Sequence, residues 1–378
     1  MWTDDLAAAA ERARDWLFDA ALPLWATAGF NARTGFFVES LDGEGRASTE
    51  THRVRVQARQ TYVFMEAGRL GWAGPWRDRA LAGLGALLGP ARAEGGASGH
   101  RFDAGGVLVD ARRDLYDQAF TLFALAHARP LDPGAVDARI GEILDYLETQ
   151  RASAGGFLEG EIAPVPRRQN PHMHLLEAGL ALTGAGVSRG QALVDESARL
   201  FGAVFYDPKT GSLGEYYGDD FAPLAGDEGA VTEPGHHCEW AWLLDQLRRR
   251  GGPDLSVPAD RLWAHAIGHG LHGGILIDEV LRGGGARTAT SRLWPQTERL
   301  KAALARWERR APGAGPEEMQ AAFEGLFSFL SDGPRGLWQE RRFADGRVQD
   351  GPAPASSLYH LTCAISELLR VAGATRTR

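Results

Sequence analysis

One short pattern recurs six times along the chain: a glycine, one or more apolar or small residues, then an acid. It reads GFFVE at Gly35 to Glu39, GVLVD at Gly106 to Asp110 and GFLE at Gly156 to Glu159. It returns as GSLGE at Gly211 to Glu215, GILID at Gly274 to Asp278 and GLWQE at Gly336 to Glu340. The glycines are 71, 50, 55, 63 and 62 residues apart, a period that marks a repeated supersecondary unit. Each copy reads as a turn carrying a short strand. A polar loop follows, and then apolar residues spaced three and four apart, as in VQARQTYVFMEAGRL, HMHLLEAGLAL and HHCEWAWLLDQL. Between that helix and the next unit there is room for a second one, such as VDARIGEILDYLETQ.

The count predicts about twelve helices in six hairpins: an all-α (α/α)6 barrel with short strands and turns at its mouth, forming a single catalytic domain over residues 1–378. An open superhelix of hairpins is the competing arrangement. A ring is favoured because no unit carries an obvious polar cap. Long strand runs are absent, which argues against a doubly wound α/β fold. The stretch from Gly184 to Gly190 is loosely like a dinucleotide loop, but it follows a helical pattern rather than a strand.

Composition narrows the function classes. Net charge is -8 with no long basic run, so no nucleic-acid partner is expected. No apolar stretch reaches the roughly 18 residues of a membrane span. The two cysteines, Cys238 and Cys363, make no disulfide framework. The segment MWTDDLAAAAERARDW is acidic and amphipathic, without the basic and apolar regions of a signal peptide. A cytoplasmic protein, monomer or homodimer, is expected.

The repeat converts sequence into geometry. If every inner helix starts at one rim, residues at those starts converge. They are Arg53, Arg59 and Gln60; Asp114, Tyr116 and Gln118; Asn170, His172 and His174; His236, His237, Glu239 and Trp240; Arg292, Trp294, Gln296 and Glu298; Tyr359 and His360. Aromatic faces stack on sugar C–H surfaces, and Arg, Asn, Gln and Glu bind hydroxyls, so a monosaccharide or disaccharide is the expected partner. His236 and Glu239 lie three apart on one helix face, where the carboxylate could orient the imidazole. His237 is turned by about 100° from His236 and cannot share its role. His172 and His174 split in the same way. Any one helix-start histidine is more often a cap than a catalyst; three at the same end of three repeats shift the balance to function. The arginines at 53, 55 and 59 could be surface charge, but one set among the apolar neighbours of QAxQTYVF is expected to be buried and paired. His265, His269 and His272 resemble a metal stripe but read as packing or surface residues, and His52, His100 and His127 as solvated or local ones.

Four stretches carry a resemblance. RVQARQTYVF at 55–64, NPHMHLLEAGLAL at 170–182, EPGHHCEWAWLL at 233–244 and RLWPQTERLKA at 292–302 are similar to the N-acylglucosamine 2-epimerase family. That family includes mannose isomerases and cellobiose epimerases, and the WPQTE element is closer to the mannose isomerase branch. The resemblance implies an (α/α)6 barrel and metal-free aldose chemistry with no cofactor. It implies two acid–base histidines, His236 of the His-x-x-Glu with Glu239, and His360 on the last inner helix. It implies that Asn170 and His174 act in ring binding or opening, that Arg59 faces the sugar, and that Arg292, Trp294 and Gln296 lie beside it. No clear nucleotide-binding segment is present.

A base near working pH suits removal of a proton beside a carbonyl. The expectation is a mannose–fructose type isomerase passing through an enediol, with Arg59 stabilising the oxyanion. A 2-epimerase is the alternative. A glycoside hydrolase built on Glu233, Glu239, Asp114 or Glu298 is a second, and a non-catalytic sugar-binding protein a third. A metal isomerase using His174, His236, Glu239 and His360 is disfavoured because their spacing matches no compact metal motif. A sugar phosphate is possible as substrate given Arg53, Arg167, Arg168 and Arg292.

Overall fold

The reason for the repeat is visible at its glycines. All six, Gly35, Gly106, Gly156, Gly211, Gly274 and Gly336, have φ between 66° and 89°, the left-handed region in which a side chain is strained. Each therefore turns the chain where other residues resist turning. The computed structural model describes residues 2–48, 51–330 and 334–376.

Six inner helices follow the six turns: α3 (Val54–Arg69), α5 (Leu115–Ala128), α7 (Gln169–Gly184), α10 (Pro234–Arg249), α12 (Trp294–Glu308) and α14 (Ala355–Arg376). Their outer partners are α4 (Trp76–Leu88), α6 (Pro133–Thr149), α8 (Gly190–Leu200), α11 (Ser256–Gly270) and α13 (Pro316–Phe327). The sixth outer element is α1 (Asp4–Trp16), running through a π-helical turn at Leu17–Ala21 into α2 (Leu22–Thr27). A single helical turn, α9 (Gly226–Ala230), precedes α10. Each inner helix packs on the next, and α14 packs on α3, so the ring closes as an (α/α)6 barrel. The stretch from Gly184 to Gly190 makes the α7–α8 turn. At the close approach of these helices, a Cβ on Gly179 would sit 2.9 Å from the Gly190 carbonyl oxygen.

The mouth closes in the same sense. The residues entering each inner helix pair antiparallel with a neighbouring unit: 52–53 with 101–102, Asp114 with Gly160, 167–168 with 216–217, 231–232 with 280–281, and 291–292 with 341–342. The sixth pair, 353–354 with 40–41, joins the last unit to the first. The short strands thus form a belt around the rim rather than a sheet. No described helix is long and apolar enough to cross a membrane.

Two devices tie rim to helix. Four of the six acids of the repeat serve helix starts: Glu39 accepts from the Arg53 N–H, Glu159 from Arg168, Glu215 from Glu233 and Asp278 from Arg292. A carboxylate there also complements the positive end of the helix dipole. The fourth residue of an inner helix clamps the turn. The Phe37 N–H donates to Gln57 Oε1 (2.9 Å) and Gln57 Nε2 donates back to the Phe37 carbonyl (2.8 Å). Gln118 clamps Ser98 in the same two-bond way. In the second repeat the turn in phase with Gly35–Glu39 is therefore the one at Gly96, and Gly106 instead turns the hairpin that pairs Phe102 with Leu108. Because Gln57 is fully buried, Gln57→Leu would strand one buried N–H and one buried carbonyl. It should lower unfolding stability by about 2–4 kcal/mol in urea titration, and a loss under ~0.5 kcal/mol would remove the clamp from the account.

Candidate active site

The fourth-residue rule sorts the histidines. In His172 and His237 both ring nitrogens are used structurally. His172 Nε2 accepts from the Phe157 N–H (3.1 Å) and Nδ1 donates to the Arg168 carbonyl (3.2 Å). His237 Nε2 accepts from the Leu213 N–H (3.0 Å) and Nδ1 donates to the Glu233 carbonyl (2.9 Å). Neither has a nitrogen left for chemistry.

His174, His236 and His360 are held in a different way. Each donates Nδ1–H to a carboxylate: His174 to Glu177 (3.0 Å), His236 to Glu215 (2.9 Å) and His360 to Glu298 (2.9 Å). That bond fixes the tautomer and leaves Nε2 for a ligand. All three line one cavity of about 390 Å³ at the mouth, with Arg59, Tyr116, Asn170, Arg292 and Trp294. Glu233, Glu340, Arg341, Ser356 and Ser357 line it as well. The rings of His236 and His360 lie 5.0 and 5.8 Å from the Trp294 ring, so they flank the indole from neighbouring helices.

Arg59 is buried without a carboxylate partner. It donates to Tyr116 Oη (2.7 Å) and the Ser356 carbonyl (3.3 Å), it lies over the Phe120 ring, and its Nε has no partner. Asn170 Oδ1 is likewise buried and unpartnered. A ligand bringing an oxyanion and a hydroxyl would satisfy both.

Two expected site residues stand elsewhere. Gln296 is fully buried and does not line the cavity. Its Oε1 accepts from the Leu276 N–H (2.8 Å) and its Nε2 donates to the carbonyls of Leu276 (2.9 Å) and Arg292 (3.0 Å). It is the turn clamp of its repeat. Glu239 is not the partner of His236, which is oriented by Glu215. It lies one layer deeper, and its Oε1 has no hydrogen-bond partner. The arginines of the loop before α7 also turn away: Arg167 binds the Phe157 carbonyl and Arg168 binds Glu159. His52 and His100 are buried rather than solvated, His100 against Asp117 (2.7 Å).

The inner helices repeat in phase when α12 is counted from Leu293. Their sixth residues, Arg59, Phe120, His174, Glu239, Glu298 and His360, form the floor of the mouth. Their ninth, Tyr62, Phe123, Glu177, Trp242, Lys301 and Cys363, form the layer beneath. Lys301 Nζ is 2.6 Å from Glu298 and 3.9 Å from the Trp242 ring centroid.

These surroundings set the proton inventory. Burial would lower the His236 pKa, but Glu215 and Glu233 outweigh it and push it up to about 9. At His360 burial prevails over Glu298, with Arg59 and Lys301 adding to it, and the pKa falls to about 4. Burial also lowers His174 despite Glu177. Glu239 is pushed well above the carboxylate range by burial, with Glu298 adding to it against Lys301, and so carries a proton. At neutral pH the mouth thus holds one imidazolium, His236, and two neutral imidazoles, His174 and His360.

Three clusters bring ligand-type atoms within 4.8 Å: His174, Glu177 and Glu239; Glu215, Glu233 and His236; Glu239, Glu298 and His360. Lys301 already supplies a cation beside the third, Arg292 bonds Glu233 (2.7 Å) in the second, and the histidine of each is bonded to its own carboxylate.

The sequence profile of the N-acylglucosamine 2-epimerase (GlcNAc 2-epimerase) family matches residues 35–364. The chain belongs to that family. It is 40% identical over 367 residues to a mannose-6-phosphate isomerase of Rhizobium meliloti (strain 1021), covering 93% of this chain and 95% of the relative. Among solved structures it is similar to the cellobiose 2-epimerase of Spirochaeta thermophila DSM 6192 (TM-score 0.86, 21% identity, 98% of each chain). It is also similar to a D-mannose isomerase (TM-score 0.82, 20% identity, 97% of each chain).

Sequence reasoning missed Glu215 as the partner of His236. The signal was its place as the acid of the fourth repeat unit. Glu215→Gln keeps an acceptor for Nδ1–H but removes the charge that holds the proton on His236. The midpoint of the His236 ring titration, followed by NMR, should therefore move down from about 9. An unmoved midpoint would sink the assignment.

Proposed function

We propose that this protein is an aldose–ketose isomerase of the mannose–fructose type, with the whole barrel serving as one catalytic unit in the cytoplasm. The observation that carries it is the pair of histidines in opposite charge states facing one cavity that also holds the unpaired guanidinium of Arg59. The 40% identical mannose-6-phosphate isomerase supports the isomerase outcome.

In this reading His236, as the acid, protonates the ring oxygen of the bound sugar during opening. The Nε2 of neutral His360 takes the C2 proton of the open aldose, exchanges it with solvent and returns a proton to C1. Electrons from the C2–H bond form the enediolate, the O1 oxygen that becomes negative is met by Arg59, and as C1 is protonated the O2 hydroxyl proton passes to O1, leaving the C2 ketone. Asn170 and His174 hold hydroxyls, Tyr116 and Trp294 wall the ring, and Arg292 sits at the rim, held by Asp278 and Glu233. Glu239 acts from the floor, as a neutral acid between the His174 and His360 pairs.

A 2-epimerase is the second reading. His236 could return a proton to C2 from the opposite face, and its position across Trp294 from His360 favours that arrangement. Hydrolysis fits less well. Of Glu233, Glu239, Asp114 and Glu298, only Glu233 lines the cavity, and it is ion-paired to Arg292.

Incubation with mannose in deuterated water, followed by NMR, separates the two readings. Fructose carrying deuterium at C1 is the expected product, and His360→Asn should abolish it. Direct formation of glucose deuterated at C2, with little fructose, would replace the isomerase by the epimerase. Mannose 6-phosphate belongs in the same experiment, because Arg341 at the mouth makes no ion pair among the described residues.

Turnover is also expected to be independent of divalent metal, since Lys301 and Arg292 already neutralise the carboxylates of two of the clusters. Activity should survive exhaustive chelation. Loss restored by one divalent ion would overturn that expectation.

A further inference from the structure

The bore has a second cavity at the end away from the mouth. About 350 Å³ in volume, it lies among the C-terminal halves of α3, α5, α7, α10 and α14, beneath Tyr62, Phe123 and Glu177. That volume is within the range of small-molecule sites. It is not part of the catalytic mouth, and the chemistry above uses nothing in it except Glu177.

Its hydrogen-bonding inventory is lopsided. The carboxylates that line it are engaged: Glu66 by Arg69 and Ser366, Glu177 by His174 and Tyr359, Glu367 by Arg370. The groups left without partners are donors. Trp242 Nε1 and Gln246 Nε2 are buried and unbonded. Among the described residues Arg250 bonds only the carbonyl and Oε1 of Gln246, and Glu367 acts on it without a hydrogen bond. A cation at the end of α10 is expected from the helix dipole, which accounts for Arg250 being there. The dipole does not account for a buried indole N–H and a buried amide N–H with nothing to donate to, since such groups are ordinarily satisfied. What is missing is a set of acceptor oxygens.

The cavity also reaches the mouth. Glu177 lines it, and through Oε2 the same carboxylate holds His174, which lines the catalytic cavity. Tyr359 Oη donates to the other oxygen, Oε1 (2.5 Å). A negative charge arriving below acts on Glu177 and hence on the proton and position of His174.

We propose that this lower cavity is a regulatory site for a compact organic anion of monosaccharide size, a phosphate monoester or a carboxylate. Trp242, Gln246 and Arg250 bind it, and Glu177 transmits its presence to His174. Titration calorimetry on the full chain tests this with inorganic phosphate, glycerol 3-phosphate and gluconate as probes. At least one organic anion should bind. Arg250→Gln and Gln246→Leu should each weaken it by about tenfold or more, the loss expected for a charge-assisted or buried hydrogen bond. Arg341→Gln at the mouth should not. In steady state the bound anion should change kcat with KM unaltered. Arg250 is exposed, so its replacement leaves the core intact.

Binding of inorganic phosphate as tight as that of the organic anions would remove the organic ligand class. No binding by any probe would overturn the proposal. So would loss only in Arg341→Gln, which places the anion at the mouth, or loss in Arg250→Gln without loss in Gln246→Leu, which places it on the surface arginines. Binding with unchanged kcat would overturn the coupling. The binding measurement does not depend on which sugar reaction the mouth performs.

Discussion

The hydrogen bonds between the fourth residue of an inner helix and the backbone of its turn unit fix everything above them. They lock the rotation of each helix about its axis. That rotation decides which side chains face the bore. Five of the six helices carry such a residue: Gln57, Gln118, His172, His237 and Gln296. The sixth helix has Leu358 in that place, and its turn is held instead by the Trp25 indole N–H on the Gly336 carbonyl (3.2 Å). Once phase is set, position six of each helix meets the floor of the mouth and position nine the layer below. The use of either glutamine or histidine explains why a chain rich in mouth histidines keeps only some of them for chemistry.

At the floor and beneath it, electrostatics takes over. Glu239 and Glu298 in the floor and Glu177 below it are buried around a single ammonium, Lys301. Three ionised carboxylates around one cation would be costly at low dielectric. The cluster resolves this by giving one carboxylate to each of two histidines and leaving Glu239 protonated. His236 stands outside that bargain. It sits between two acids of its own, Glu215 and Glu233, and keeps a proton that His360 does not.

The architecture was legible in the sequence because a φ-positive turn demands glycine and leaves a mark at every repeat. The convergence of His174, His236, His360, Arg59, Tyr116, Asn170, Arg292 and Trp294 followed from counting helix starts and from the family resemblance. Two assignments failed for reasons of phase and of reach. Gln296 shares its helix with Trp294, which does line the cavity. The α12 repeat, however, is in register from Leu293, and one residue of offset turns a side chain by about 100°. Glu239 has the right spacing for His236, but the imidazole Nδ1 points toward the rim. There a carboxylate 21 residues earlier in the chain arrives from a strand turn. Pairings across a turn of that kind leave no periodic signal along one helix.

The joining of residues 353–354 to 40–41, and of α14 to α3, has a consequence for synthesis. A ring is not a stack that can grow one repeat at a time. Its first and last inner helices each expose a bare face until they meet, and the cavity draws side chains from Arg59 to His360. A nascent chain that has released five hairpins therefore has most of its mass but an open site that lacks His360. It must carry an unpaired seam between α3 and α12 until the final helix is free to fill it. The seam separates contacts by some three hundred residues, and loop closure over that span is the slow kind. The interval before α14 emerges is where such a chain is most exposed to misassembly with its neighbours.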